Sequence, residues 1–361
     1  MWERRFVSPF FLVAASILIL LTGCGRGVPA VSWFGIAASD DAVYLAANEQ
    51  VVALNLESGA ELWAFPPEPD TKIGPFYATP LLTNDALIVG GFGDGKLYAV
   101  SYDGGAQEWA VETGAAVVEG AVSADVGLVV GNSAGSIYRV EAETQEKQLL
   151  LETDEPIWAL PLVDEDSERI YVASMDHHLY AINLADGEQL WTFEAGGALA
   201  GTPALGEDVI YFGALNSTFY ALDAETGAEL WRFQADGWVW GGPLVHDGNV
   251  YFGDMAGKLY ALDAEDGSER WPAFEVEGGV RVTPVAVGDL LYFGTRGSKV
   301  YAVRAENGTQ EWAQSVEGAI YSQPVVRGEF LLVAPHNAKT KVVALNTESG
   351  AVRWSYPRQE E

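Results

Sequence analysis

Ala221-Leu222-Asp223-Ala224-Glu225-Thr226-Gly227-Ala228-Glu229-Leu230-Trp231 is the clearest copy of a unit that recurs along most of this 361-residue chain. A strand-like run, Val209-Ile-Tyr-Phe-Gly213, stands before it, followed by a turn and Ser217-Thr-Phe-Tyr220; Arg232-Phe233-Gln234 follows it. The tryptophan recurs as Trp63, Trp109, Trp191, Trp231, Trp271, Trp312 and Trp354. Aligning Tyr138 with the tyrosine of the other copies adds one more unit, with Leu149 in the tryptophan slot. The spacings are then 46, 40, 42, 40, 40, 41 and 42 residues. A period in this range marks a propeller or a solenoid.

Each slot has a physical role. Eleven residues before the tryptophan stands Val52, Tyr98, Tyr138, Tyr180, Tyr220, Tyr260, Tyr301 or Val343, and an alanine usually follows. A small residue there lets neighbouring sheets approach. Four residues before the tryptophan is glycine in every unit except the third, where Gln145 replaces it. Glycine supplies the positive φ of a tight hairpin without a Cβ clash. Asn55, Asn183, Asp223, Asp263 and Asn346 open the same turns, where a side-chain oxygen can bond backbone N–H groups two residues on. The indole offers a large flat face, and all seven tryptophans are expected to be buried between adjacent sheets. Upstream, a further strand ends at Pro80, Pro161, Pro203, Pro243, Pro284 or Pro324. Four short antiparallel strands per repeat make one propeller blade, and blades must pack in a ring because none can bury its own faces. The expected fold is therefore all-β, an eight-bladed propeller. The chain starts on an innermost strand and stops on an outermost one, so the ring is expected to close by face packing, with no blade shared between its ends.

Ala-x-Asp-x-x-Thr-Gly-x-x-x-Trp resembles the tryptophan-docking motif of the PQQ-type (quinoprotein) β-propellers, over essentially the whole chain after its leader. That family includes quinoprotein dehydrogenases, the outer-membrane assembly lipoprotein BamB and many other lipoproteins. The motif is specific for the fold and not for the function.

Residues 1–23 form an expected lipoprotein signal peptide. Arg4 and Arg5 precede an apolar run, and Leu21-Thr22-Gly23-Cys24 resembles a bacterial lipobox in which Cys24 is lipidated. The alternative is a transmembrane anchor, for which the run is short. Cys24 is the sole cysteine, so no intrachain disulfide can form. Residues 24–30 read as a lipidated tether, 31–357 as the propeller and 358–361 as a C-terminal tail. Gly25, in place of Asp, resembles an outer-membrane sorting address. The implied location is the periplasmic face of the outer membrane in a Gram-negative cell, and the cell surface otherwise. The Pro-rich stretch 66–75 is five residues longer than its counterpart, either a contact loop or plain drift in length. The third unit, with Arg139, Gln145 and Leu149, has drifted or is marked for a partner. Asp164-Glu-Asp-Ser-Glu168 lacks the spacing of a calcium loop and reads as a solvated turn.

Charge narrows the partners. There are 20 basic and 51 acidic residues, a formal net charge of −31. Without Glu3, Arg4 and Arg5 the balance is 18 to 50, near −32. Repulsion disfavours nucleic acid and anionic lipid as partners. His177, His178, His246 and His336 supply no converging set of ligands, so no metal is expected.

One constellation remains. Three residues before the proline slot stand Trp33, Tyr77, Val118, Trp158, Ala200, Trp240, Arg281 and Tyr321. Trp33, Tyr77, Trp158, Trp240, Arg281 and Tyr321 could ring the channel mouth and take a flat, anionic or peptide ligand, or else pack between blades. In quinoprotein dehydrogenases an inner-strand tryptophan stacks on the quinone, and the setting of Trp240 is similar. Those enzymes also carry adjacent cysteines and a catalytic Asp beside Ca²⁺, and this chain has no cysteine pair. The expectation is a non-catalytic, cofactor-free scaffold, monomeric within a complex. The resemblance implies that it binds protein partners in outer-membrane β-barrel assembly through exposed loops or edge strands. A ligand-binding lipoprotein and a quinone-dependent dehydrogenase are the alternatives.

Overall fold

A computed structural model describes residues 34–358. The signal peptide, Cys24, the tether and Trp33 lie outside the described residues, as do the last three residues of the tail. Eight four-stranded antiparallel sheets follow one another along the chain, at residues 35–65, 81–112, 121–152, 162–194, 204–234, 244–275, 285–315 and 325–356. We call them blades 1 to 8. No described residue lies in a helix, and no described helix is long and apolar enough to cross a membrane.

Blade 5 shows the pattern. Its strands are Ala204–Gly206, Val209–Gly213, Thr218–Asp223 and Glu229–Gln234, paired in that order. The first strand does not end at the proline: it begins directly after Pro203, as it does after Pro80, Pro161, Pro243, Pro284 and Pro324. Proline has no N–H for the ladder, so it is tolerated at the threshold of a strand better than inside one. The two middle strands are buried, and the fourth is largely exposed.

Tryptophan docking has three parts. The alanine slot lies directly across the ladder from the tryptophan, as in Ala53↔Trp63, Ala221↔Trp231 and Ala302↔Trp312, so its small side chain leaves room for the indole. A β-bulge follows that pair in blades 1, 2, 4, 5, 7 and 8. The indole face lies on the hairpin glycine of the next blade. Gly227 has φ +72°, and a Cβ there would sit 2.7 Å from the Trp191 ring. Glycine is thus required both by its backbone angle and by the space. The indole Nε1 donates to a carbonyl in that same hairpin: Trp63 to Tyr102 at 2.8 Å, Trp191 to Ala224 at 3.1 Å, Trp231 to Ala264 at 3.2 Å, Trp271 to Ala305 at 3.0 Å, Trp312 to Thr347 at 2.9 Å. The tyrosine of the Val-Tyr-Phe-Gly strand adds a second donor to that oxygen. Tyr171 reaches Ala224, Tyr251 reaches Ala305 and Tyr292 reaches Thr347, at 3.1–3.2 Å. A carbonyl has two lone pairs and can accept both.

The expected burial of these indoles needs correction for four of the seven. Trp271, Trp312 and Trp354 are buried, but Trp63, Trp109, Trp191 and Trp231 are only half-buried. All seven share the same outer-edge slot, so the slot alone does not set how deeply the ring is buried. Where the ring is half-buried, one face is covered by the next hairpin, and the rest reaches the outer surface. Trp63 is an example: its ring lies under Gly105 and beside Tyr44, at 5.9 Å, while its neighbours Glu61 and Leu62 are exposed.

Blade 3 departs from the pattern. Its bulge falls two pairs earlier, between Ile137 and Tyr138, and Tyr138 pairs with Leu149. Leu149 is therefore 44% exposed, and Leu150, 7% exposed, is the residue under Gly187 of blade 4. The alignment that put Leu149 in the tryptophan slot is corrected by one position. Arg139 replaces the missing donor: its Nη1 bonds Ala185 O at 2.8 Å in the blade 4 hairpin. On the other side of blade 3, Gln145 keeps the positive φ (+59°) that glycine supplies elsewhere. Among the described residues Trp109 makes no carbonyl bond, and the strand residue across from its alanine is Ile88, where blades 1, 4, 5, 6 and 7 have tyrosine.

Blade 8 docks on blade 1 without a shared sheet. Trp354 Nε1 donates to Leu56 O at 2.8 Å, and Arg327 Nε to Ala38 O at 2.9 Å. In the acidic stretch Asp164 ends a strand and residues 165–168 form a turn, whose Glu165 accepts from Asp125 N at 2.7 Å in blade 3. The loop 66–75 is tied to both of its blades, through Gln50 Nε2 to Pro66 O and Phe92 N to Pro75 O, each 2.9 Å. At the chain end Arg358 reaches Ser58 O at 3.3 Å.

Urea unfolding should rank three substitutions. Trp354→Ala should lose about 3–5 kcal/mol, the usual cost of removing a buried tryptophan. Leu149→Ala should change stability by under about 0.5 kcal/mol. Gln145→Gly should gain up to about 1 kcal/mol, because it relieves a left-handed residue. Equal losses for Trp354→Ala and Leu149→Ala would contradict this account of docking.

Candidate functional site

The segment entering each blade is extended, and its alternation builds the hub. Ile157, Val239, Val280 and Ile320 turn into the blade interface; each sits over the last glycine of a second strand, as Val239 does over Gly213. The next residue faces the other way. These are Trp158, Trp240, Arg281 and Tyr321, and they stand before the inner strands, not within them.

Four of the candidate residues come together. Trp158 and Trp240 rings lie 6.1 Å apart, tilted by 33°. The Arg281 guanidinium lies 4.2 Å from the Trp240 ring centre and 5.2 Å from that of Tyr321. Such placement over aromatic faces is attractive, and more so when desolvated. Tyr321 meets His336 at 5.4 Å, and His336 meets Phe34 at 5.9 Å. Trp240, Arg281 and Tyr321 border a hub cavity of about 670 Å³, whose walls continue along the inner strands. Tyr77 does not join this cluster. It packs edge-on against Phe92 at 5.2 Å and lines a second cavity beside Glu49, Thr71 and Lys341. The cause is local: Phe76 N bonds Asn48 O and Phe92 N bonds Pro75 O, which draws the segment towards blades 1 and 2.

Arg281 is 8% exposed. Burial lowers its pKa to about 10, and the negative charge of Glu119, also in the cavity wall, works against that shift. The guanidinium stays protonated at neutral pH. Ser322 is 6% exposed, borders the same cavity, and its hydroxyl has no hydrogen-bond partner. Glycines let the inner segments run backbone against backbone: a Cβ on Gly241 would overlap Arg281 O.

Sequence reasoning missed Glu119 and Ser322. Both occupy the slot two before the proline, which is otherwise Phe34, Ala78, Ala159, Gly201, Gly241 and Val282. Two polar residues in an otherwise small or apolar slot were the available signal. Trp238 was missed too. It is 54% exposed, on a rim loop held by Gly237 N to Asp254 Oδ2 at 2.8 Å and Met255 N to Trp238 O at 2.9 Å. Of the remaining histidines, His178 Nδ1 lies 3.0 Å from Asp176 O and His246 Nε2 3.3 Å from Gly288 O. Among the described residues no three His, Cys, Asp or Glu side chains are grouped to hold a metal ion.

His336 gives a pH prediction. Burial first, and then the charge of Arg281, lower its pKa, and its Nδ1 is buried without a hydrogen bond. The unfolded chain takes up this proton near the ordinary value of about 6.5. Below that pH the unfolded state binds more protons, so His336 costs stability as pH falls. His336→Phe should therefore melt progressively higher relative to the parent as pH drops from about 7.5 to 5.5. A pH-independent difference would show that the imidazole is not held neutral.

Comparison with known proteins places these features. A family profile described as outer membrane protein assembly factor BamB matches residues 27–146, 93–202, 175–277 and 272–361. No curated protein sequence matches the chain. The crystal structure of a computationally designed protein, Ika8, superposes with a TM-score of 0.74 at 13% identity, covering 86% of this chain and 96% of that one. BamB from Moraxella catarrhalis superposes with a TM-score of 0.69 at 16% identity, covering 83% and 92%. At these identities the superpositions speak for the fold alone. The family profile, however, spans the docking repeats from the first blade to the last, and the chain belongs to the outer membrane protein assembly factor BamB family.

Proposed function

We propose that this protein is a non-catalytic docking scaffold, lipid-anchored through Cys24, that binds protein partners during the assembly of outer-membrane proteins. The observation that carries the reading is the family match along the whole propeller. Leu21-Thr22-Gly23-Cys24 supplies the anchor in this reading. The rim supports it as well. Trp238 presents a solvated indole on a loop pinned by buried Asp254, and rigid aromatics are favoured anchors at protein interfaces. A redox role fits less well. The chain has one cysteine, so the adjacent pair of the quinoprotein dehydrogenases is lacking. Arg281 also covers a face of Trp240 on which a planar ring would stack.

Two measurements test the reading. Capture of the tagged protein from a mild detergent extract should recover a component of the β-barrel assembly machinery. Trp238→Ser should weaken that capture by about tenfold or more without lowering the melting temperature. Recovery of no such component would overturn the scaffold role. Separately, Cys24→Ala should move the protein from the membrane to the soluble fraction, and an unchanged distribution would remove the lipid anchor.

A further inference from the structure

The hub cavity is not needed for a scaffold that works through its rim, and the charged groups in its wall are already engaged. Those groups are Glu119, Arg281 and Arg327. Arg281 and Glu119 each have partners within the protein, and Arg327 donates to the carbonyls of Ala38 and Val326. What remains is a belt of neutral groups in the slot directly before the proline: Thr79, Thr202, Thr283 and Gln323 all line the cavity. Extended backbone alternates, so this slot faces the same way as the hub residues two positions earlier. Thr283 thus follows Arg281, and Gln323 follows Tyr321. The three threonines are half-buried and Gln323 is exposed. Among the described residues, Thr202 is the only one of the four whose side chain has a hydrogen-bond partner in the protein: its Oγ1 accepts from Leu160 N at 3.1 Å and keeps a proton to donate.

The belt is stiff. Each of its four residues precedes a proline, which confines the backbone to the extended region and fixes where the side chain starts. Thr202 and Thr283 meet across Gly242 of the blade between them: the point that a Gly242 Cβ would occupy lies 2.5 Å from Thr202 O and 2.9 Å from Thr283 Oγ1. The chemistry of the belt excludes most occupants. An apolar ligand would strip water from free hydroxyls and an amide and give nothing back. A net charge of −31 repels an anion on approach. A cation would face two guanidinium groups against one carboxylate in the wall. A sugar hydroxyl both donates and accepts, and so matches threonine hydroxyls and a glutamine amide. The volume of about 670 Å³ lies within the usual range of roughly 300–1,000 Å³ for small-ligand pockets. We propose that the hub binds a neutral sugar of one or two rings through Thr79, Thr202, Thr283 and Gln323. This inference does not depend on the scaffold reading, because it concerns the hub and not the rim.

Calorimetric titration of the full chain with glucose, N-acetylglucosamine and maltose tests this, with glucuronate as an anionic counterpart. At least one neutral sugar should bind with a Kd below about 10 mM. Glucuronate should bind about tenfold or more weakly than that sugar. Thr283→Val removes the hydroxyl and keeps the branched shape. It should weaken binding about three- to tenfold while leaving the melting temperature unchanged, since that hydroxyl bonds nothing in the protein. Thr283→Ser, which keeps the hydroxyl, should bind as the parent does. Gln323→Leu should weaken binding to a similar degree as Thr283→Val. Trp238→Ser, on the rim, should leave sugar binding unaltered, which separates the hub from the scaffold reading. No heat from any of the three neutral sugars at about 50 mM would overturn the proposal. So would parental affinity in both Thr283→Val and Gln323→Leu, or tighter binding of glucuronate than of the neutral sugars.

Discussion

At most blade interfaces a single carbonyl oxygen organises the contact. It sits in the hairpin between the third and fourth strands, and the preceding blade aims an indole N–H at it, joined in several blades by a tyrosine hydroxyl. The glycine of the same hairpin removes the Cβ that would hold the indole away. Polar and apolar requirements are met at one spot: the ring loses water on one face, and its only polar atom keeps a partner. Where the indole is missing, in blade 3, a guanidinium from the alanine slot reaches a carbonyl of the neighbouring hairpin. The bond is kept there although the residue that makes it elsewhere is gone.

The hub follows from the same geometry. Five of the eight second strands end in glycine, where the next entering segment drives a Val or Ile against them. Once that residue points outward, its successor must point towards the axis, as extended backbone alternates. Trp158, Trp240, Arg281 and Tyr321 reach the hub through this alternation, so the site is positioned by packing that has no functional content of its own.

Much of the fold was legible because the docking elements are chemically loud. Tryptophan, alanine and glycine at fixed offsets leave little room for another reading, and they gave the number of blades and their closure by faces. How deeply each indole sinks was not legible: Trp63 and Trp354 occupy the same slot, yet only the second is buried, because depth depends on what the neighbouring blade places at the outer edge. The second donor was hidden as well. The tyrosine of Val-Tyr-Phe-Gly looks like any aromatic residue in a strand until its hydroxyl is seen at Ala264 or Ala305. Leu149 misled because counting from Tyr138 assumes an unmoved bulge, and bulge position depends on packing across the sheet. Tyr77 misled because a loop of unusual length tethers the segment on both sides. In the hub the aromatic residues were legible by slot, whereas Glu119 and Ser322 were hidden one position along. Their meaning lies in what surrounds them, and that only the closed ring supplies.

Closure itself has a temporal side. Trp354 meets Leu56 across 298 residues of chain, and Arg327 meets Ala38 across 289. Neither contact exists until the final sector has been synthesised. Until then the nascent protein is an open arc whose two end sectors each show an apolar flank to water. Its first and last sectors are zipped by side chains alone, without a strand borrowed from the other end. Completion is therefore a single late event, and a chain cut short by one sector is left with two sticky flanks and nothing to join them.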